Sequence, residues 1–395
     1  MPYFDYAATT PLHPQALAAM MSFLSESYAN PSSIYTPARD ARKAIDAARL
    51  SVAIAIGAKP EEIFFTGSGT ESDNWAIKGT LETQRKKGRH IITTEAEHHA
   101  VLYTCKHLEK QGYDVTYLSV DQYGFVDPAK VEAAIRPDTV LVSIILANNE
   151  VGTIQPMAQI GEITRKADVT LHTDAVQAIG HIPVDVNELN VDTLSLSAHK
   201  FYGPKGIAAL YIRKGTQIAP LLSGGAQERG RRAGTENVAG IVGLATALEI
   251  AAAEIPKELP RVSTLRDKLI TEIMSTIPHA VLNGPCISNP MGSSRLPGNV
   301  NISFKFIEGE SLLLHLDMLG HQASTGSACS SGALEPSHVL TAMGVSHEMA
   351  NGAIRFSLGR NTSEDDINNL MSVLTASVQR LRSLSPLYDD YLKNK

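Results

Sequence analysis

Cysteine is scarce. The chain of 395 residues holds three, Cys105, Cys286 and Cys329, far apart from one another. Such spacing argues against a disulfide framework and fits a reducing compartment, so a cytoplasmic location is expected. Excess charge is also missing. A formal net charge of −6 gives no reason to expect nucleic acid or a membrane surface as a partner. No run of about 18 uninterrupted apolar residues suggests a membrane span. The first twenty residues carry Asp5 and Pro11 and lack the basic start and apolar core of a secretory signal, so none is expected. Internal repeats and low-complexity tracts are absent. What is there, 43% hydrophobic and 19% charged residues, is the composition of a globular protein long enough for two domains.

Apolar strand-like runs alternate with helical patterns. The clearest runs are Ile63–Thr66, Ile91–Thr94, Val140–Ala147, Val169–Thr173, Thr193–Ser197 and Ile207–Ile212. Helical patterns fall between several of them, over Ser72–Gln84, Ala100–Lys110, Ala129–Ile135 and Ala158–Lys166. This alternation predicts an α/β fold with a mostly parallel sheet flanked by helices. Val238–Glu254 reads as an Ala-rich helix, and Pro256 and Pro260 as a boundary after it. The expected division is a large domain over residues 12–258 and a smaller α+β domain made of residues 1–11 and 259–395. The latter has a strand at Val300–Phe304, a helix at Ser363–Leu381 and the Cys329 loop.

Polar residues gather where the strands end. Thr70 follows the first run, His98 the second and Asn149 the third. Asp174 and Gln177 follow Val169–Thr173, and His199 and Lys200 follow Thr193–Ser197. Ligands of open α/β sheets bind beyond the carboxyl ends of the strands, so five such endings in a row point to one site.

The residue types indicate the chemistry. Lys200, at the end of a buried strand, can hold an aldehyde cofactor as a Schiff base once burial or nearby cations favour its neutral amine. Asp174 would keep a pyridine nitrogen protonated, although an Asp opening Asp174-Ala175-Val176-Gln177 also suits a helix N-cap. Gly67-Ser68-Gly69-Thr70-Glu71-Ser72 is a glycine-rich turn opening a helix. It suits a phosphate, and lacks the Gly-Lys-Ser/Thr of a nucleotide triphosphate loop. His98 could stack on a flat ring and relay protons, or simply cap a helix. No second cluster with metal spacing accompanies Glu97-His98-His99, so no metal is expected, beyond a transient iron–sulfur contact at Cys329. Arg355, between apolar neighbours, suits a substrate carboxylate or a structural ion pair. Cys329 lies in Ser324-Thr325-Gly326-Ser327-Ala328-Cys329-Ser330-Ser331-Gly332, where small residues allow movement and close approach. Lysine and thiol together suggest pyridoxal 5′-phosphate chemistry with a sulfur nucleophile. Cys105, in a helical pattern, and Cys286 read as inert thiols.

At this level the chain resembles the cysteine desulfurases of the NifS/IscS type, in the class V branch of fold-type I pyridoxal-phosphate enzymes. The resemblance covers nearly the whole length. It rests on Asp5-Tyr6-Ala7-Ala8-Thr9-Thr10, Asn30-Pro31-Ser32-Ser33, Ala147-Asn148-Asn149-Glu150-Val151-Gly152, His172-Thr173-Asp174-Ala175-Val176-Gln177, Ser197-Ala198-His199-Lys200, Arg232-Ala233-Gly234-Thr235-Glu236-Asn237, the Cys329 loop and Leu334-Glu335-Pro336-Ser337. It departs at Gly67-Ser68-Gly69, where many relatives carry Ser-Gly-Ala. The resemblance implies a seven-stranded sheet and a homodimer. It implies that Lys200 carries the cofactor, that His98 stacks on its ring, and that Asp174 and Gln177 meet the ring nitrogen and hydroxyl. Gly69, Thr70, Ser197 and His199 would form the phosphate site, joined by Thr235 of the other subunit. Asn149 and Arg355 would hold the carboxylate of L-cysteine. Cys329 would take the sulfur as a persulfide, leaving alanine, and pass it to an iron–sulfur scaffold protein or a tRNA-thiolation enzyme. Selenocysteine or cystine lyase chemistry, an aminotransferase, and a binding protein without catalysis are the alternatives. The intact set of Lys200, His98, Asp174, Cys329 and Arg355 argues against the last of these.

Overall fold

A computed structural model describes residues 2–287, 294–326 and 336–394; Cys329 lies outside the described residues. Its centre is a seven-stranded sheet in the order β1-β7-β6-β5-β4-β2-β3. The strands are β1 Ile63–Thr66, β2 His90–Thr94, β3 Asp114–Leu118, β4 Thr139–Ser143, β5 Thr170–Asp174, β6 Thr193–Ser197 and β7 Ala208–Ile212. From β3 to β6 all neighbours are parallel; β7 runs antiparallel to both β6 and β1. Most strand residues are buried on both faces. That is why the strands read as continuous apolar runs rather than alternating ones.

Helices cover both faces. On one side Ile45, Val52, Ile241, Leu244 and Leu248 join Ile92, Val142, Leu171 and Leu194 in the main core. On the other, Ile77, Leu81, Val101 and Leu108 pack on Ile91, Val140 and Leu141. A second, antiparallel sheet is ordered β10-β9-β8, with β8 Ala280–Leu282, β9 Asn299–Phe304 and β10 Ala353–Ser357. Phe4, Leu265, Leu269, Ile302, Phe356 and Leu370 form its core. The N-terminal segment pairs with this region at Tyr3↔Gln322 and Asp5↔Ser357, then runs to the mouth of the large sheet.

The helix expected to stop at Glu254 does not stop. It continues from Val238 to Thr276 through Pro256 and Pro260. Each proline removes one backbone donor and crowds the preceding turn, a cost of about 3 kcal/mol in a helix interior. Both prolines are exposed, and the helix is held on either side of them: Ala245, Leu248 and Ala251 are in the main core, Val262, Leu265 and Leu269 in the second. Burial at both ends outweighs the defect between them. The same helix is long and apolar enough to cross a membrane, but 56% of its most apolar window is packed inside the protein.

Candidate active site

A cavity of about 510 Å³ opens beyond the carboxyl ends of the central strands. Gly69, Thr70, His98, Asn149, Asp174, Gln177, Ser197, His199, Lys200 and Arg355 all line it. Ten residues named from the sequence thus share one wall system. Thr235 does not line this cavity and is exposed. Gly326, the last described residue before the segment that carries Cys329, does line it.

The antiparallel pairing of β6 and β7 sets Lys200 in place. Ser197 pairs with Ala208, so the connection must leave and return at one edge of the cavity. Ala198–Lys200 form a single tight turn there. The Lys200 amine donates to the carbonyls of Ala7 and Ala8, at 2.6 and 2.8 Å. Gln177 Nε2 donates to the Ala7 carbonyl as well, at 2.9 Å. Sequence reasoning had no means of finding these contacts, because main-chain carbonyls leave no residue signature.

The glycine-rich turn ends in the helix Gly69–Gln84, whose N-cap is Ser68, accepting from Glu71 N–H. A Cβ at Gly69 would lie 2.9 Å from Val176 Cγ2 and 3.6 Å from Ser197 Cβ. The turn is therefore pressed against the start of the segment after β5 and the end of β6, and first-turn amides at a helix N-terminus suit a phosphate. His199 stands beside it, with Nδ1 3.1 Å from Thr9 Oγ1. Burial first, then the charges of Lys200 and Lys205, push its pKa down to about 4, so at neutral pH it is an uncharged ring.

His98 caps the helix His99–Glu109 by accepting from Ala100 N–H, and lines the cavity at the same time. Asp174, the last residue of β5, is buried and accepts from Val176 N–H at 2.9 Å. Burial, and then Asp73 nearby, raise its pKa. Asp73 escaped sequence reasoning, although it lies one helical turn after Thr70 on the same helix face and lines the same cavity. Asp73, His98 and Asp174 bring ligand atoms within 4.8 Å of one another, close enough to hold a metal ion as well as to organise a cationic ring.

Arg355 lies on β10 and reaches across from the second sheet. It donates to Asp5 Oδ1 at 2.8 Å and to the Asn149 carbonyl at 3.0 Å. The structural ion pair is real, but its Nε is buried without a hydrogen-bond partner among the described residues. An unused donor in such a site is suited to a carboxylate. Glu150, next to Asn149, accepts from the Ser337 hydroxyl and lies against Gly326, so it touches both flanks of residues 327–335.

An amine, a buried acid, an uncharged histidine, a close-packed glycine turn and an unused guanidinium donor around one cavity fit pyridoxal 5′-phosphate. Lys200, Asp174, Gln177, the Gly69–Thr70 turn, Ser197 and His199 are the residues that would hold it.

Known proteins agree. Residues 2–370 match the family described as Aminotransferase class-V. A cysteine desulfurase IscS from Dictyoglomus turgidum is 54% identical over 393 residues, covering 100% of this chain and 98% of the relative. Another, from Methanosarcina thermophila, is 55% identical over 385 residues, covering 98% and 94%. Among solved structures, a NifS-like protein superposes with a TM-score of 0.89 at 41% identity, covering 96% of this chain and 100% of that one. SspA in complex with cysteine does so with a TM-score of 0.79 at 39% identity, covering 91% and 99%. With full-length relatives at this identity, and a cavity built from the residues the resemblance requires, the chain belongs to the cysteine desulfurase family, within the pyridoxal-phosphate-dependent class-V aminotransferases.

Proposed function

We propose that the protein is a cysteine desulfurase that removes sulfur from L-cysteine, releases L-alanine and carries the sulfur on Cys329. The observation that carries this reading is the meeting in one cavity of Lys200, Asp174, His98 and Arg355, with Gly326 leading from that cavity to the Cys329 segment. Bound pyridoxal phosphate supplies an electron sink for the charge left when the substrate loses its Cα proton. Lys200, which lines the cavity, would anchor it and, once released from it, could take that proton. His98, on the same cavity wall, would be placed to move a second proton. Arg355 and Asn149 orient the substrate carboxylate. The Cys329 thiolate forms a bond to the substrate sulfur as the carbon–sulfur bond breaks, and the broken bond's carbon takes up a proton to give alanine. Cys105 is a poor candidate for this step, because burial pushes its thiol up to about 12.

A homodimer completes the reading. Thr235 is exposed and away from its own cavity, which suits a role in the partner's phosphate site. Leu17, Met21, Leu24, Tyr28, Ile34 and Tyr35 form an exposed apolar stretch near the N-terminus that a second copy would cover. The persulfide would pass in the cytoplasm to an iron–sulfur scaffold or a tRNA-thiolation enzyme.

The test is purified protein incubated with L-cysteine, with alanine and sulfide measured and the visible spectrum recorded before and after. Alanine should appear in proportion to sulfur released, and sedimentation should give twice the 42.4 kDa chain mass. Failure to form alanine, or full activity in a stable monomer, would overturn the corresponding part.

A further inference from the structure

The glycine-rich turn already carries a negative charge where an anion is expected to bind. Glu71 stands in the first turn of the helix Gly69–Gln84. Its main-chain N–H is spent on the Ser68 hydroxyl at 3.1 Å, and its Oε2 accepts from the Gly67 N–H at 2.8 Å. A Cβ at Gly67 would lie 2.9 Å from that oxygen, so the carboxylate is packed closely on the turn. Gly67, Ser68, Gly69 and Thr70 line the cavity, whereas Glu71 does not. A carboxylate at a helix N-terminus is favourable by itself, because the first-turn amides carry partial positive charge. A phosphate needs the same amides, and an uncompensated carboxylate so near would repel it.

Arg232 supplies the compensation. Its Nε donates to Glu71 Oε1 at 2.8 Å and its Nη2 to Oε2 at 3.1 Å, a two-pronged pair between residues 161 apart in the chain. The two side chains are only 20% and 18% exposed, so solvent screens this pair less than an ordinary surface one. Arg232 does not line the cavity either. The segment that bears it is held by other contacts. Glu228 accepts from Arg49 at 2.7 and 2.8 Å and from the Phe65 N–H of β1 at 3.0 Å, and Arg229 donates to the Ile63 carbonyl at 2.8 Å. These contacts dock Glu228 and Arg229 on β1 without help from the Arg232 pair.

We propose that Arg232 is a positioning residue for the phosphate turn: by neutralising Glu71 and bracing it against Gly67, it leaves the first-turn amides open to the anionic phosphate of the cofactor. This rests on the reading of Gly69 and Thr70 as the phosphate site. The harm done by losing Arg232 then comes from the bare charge of Glu71, and removing that charge as well should undo it.

The experiment uses full-length protein resolved to the apo form. It is titrated by equilibrium dialysis with pyridoxal 5′-phosphate and, separately, with pyridoxal, which lacks the phosphate. Arg232→Ala should bind pyridoxal phosphate roughly tenfold more weakly, with its affinity for pyridoxal within about twofold of wild type. Glu71→Gln keeps an acceptor for the Gly67 N–H but no charge. Combined with Arg232→Ala, it should restore the affinity for pyridoxal phosphate to within about threefold of wild type. Wild-type affinity in Arg232→Ala, an equal loss for both ligands, or no recovery in the double variant would each overturn the proposal. Should Arg232→Ala fail to fold, Arg232→Gln, which keeps a donor but no charge, is held to the same outcomes. If wild type takes up no cofactor, the functional reading fails instead, and inorganic phosphate decides. It should raise the urea midpoint of the wild-type apoprotein more than that of Arg232→Ala; equal or absent shifts would sink the proposal.

Discussion

Gly69 is where a single methyl group should be felt most clearly. Alanine there would place Cβ 2.9 Å from Val176 Cγ2. Carbon contacts are comfortable at about 3.5–4.0 Å, so the overlap is roughly 0.6–1 Å. The second neighbour, Ser197 Cβ at 3.6 Å, is an ordinary contact. Val176 cannot turn away easily. Its side chain is branched at Cβ and stiff about χ1, and its N–H is tied to Asp174 Oδ1 at 2.9 Å. The strain therefore falls on the phosphate turn or on the Asp174 cap, both parts of the proposed cofactor site. Overpacking of this kind costs about 1–3 kcal/mol. Alanine in place of glycine in a helix returns up to ~1 kcal/mol, and less at the first turn. The balance is a loss of about 1–2 kcal/mol, or roughly 5- to 30-fold in affinity for pyridoxal phosphate. Val176→Ala removes the methyl that is struck. In the double variant the loss due to Gly69→Ala should shrink, giving a coupling of about 1 kcal/mol or more. The assay is cofactor titration of wild type, both single variants and the double variant, with urea unfolding of each apoprotein alongside. Wild-type affinity in Gly69→Ala, or strictly additive effects, would refute the steric reasoning.

Three further outcomes are expected. Cys329→Ala should bind pyridoxal phosphate and show the spectral change on adding L-cysteine yet form almost no alanine, while Cys105→Ala and Cys286→Ala keep near-normal turnover; mass spectrometry that finds added sulfur on Cys105 or Cys286 instead would move the nucleophile. Glu97 holds its proton up to about pH 8 in the folded chain but releases it near 4.5 when unfolded, so the native state binds more protons between those values and its stability falls as pH rises through them. Glu97→Gln should flatten that decline in urea midpoints measured at pH 5 and pH 8; an unchanged slope would contradict a neutral Glu97. Pro256→Ala should raise the melting temperature, since it restores an interior helix hydrogen bond at an exposed position, and a lowered one would mean that the ring itself is needed there.

How far the sequence could be read depended on burial. Strand β6 was legible to the residue, because a strand buried on both faces writes a continuous apolar run bounded by polar chemistry. The run Val140–Ala147 was legible too, but β4 ends at Ser143. Beyond it the amides of Ile144 and Leu146 still donate to His172 and Asp174 carbonyls, in an irregular continuation that carries the chain to Asn149. Strand β3, at the sheet edge, is only partly buried and mixes polar with apolar residues, so its signal was weak. Strand β10 was missed as a strand because Arg355 interrupts its apolar pattern. That arginine is buried there, paired with Asp5 from the opposite end of the chain.

The sequence by itself determined the alternating α/β order, the strand endings that bear Thr70, His98, Asp174 and Lys200, and the family resemblance, since these depend on residue types at short spacing. Tertiary structure alone decided the rest. It turned β7 antiparallel and so fixed where Lys200 stands. It carried one helix through two prolines by burying it in two cores. It brought the Ala7 and Ala8 carbonyls to the lysine, and Asp73 to His172 across 99 residues of chain. These are contacts between groups distant in sequence, several of them backbone atoms shared by every residue type, and only the closing of the chain brings such atoms together.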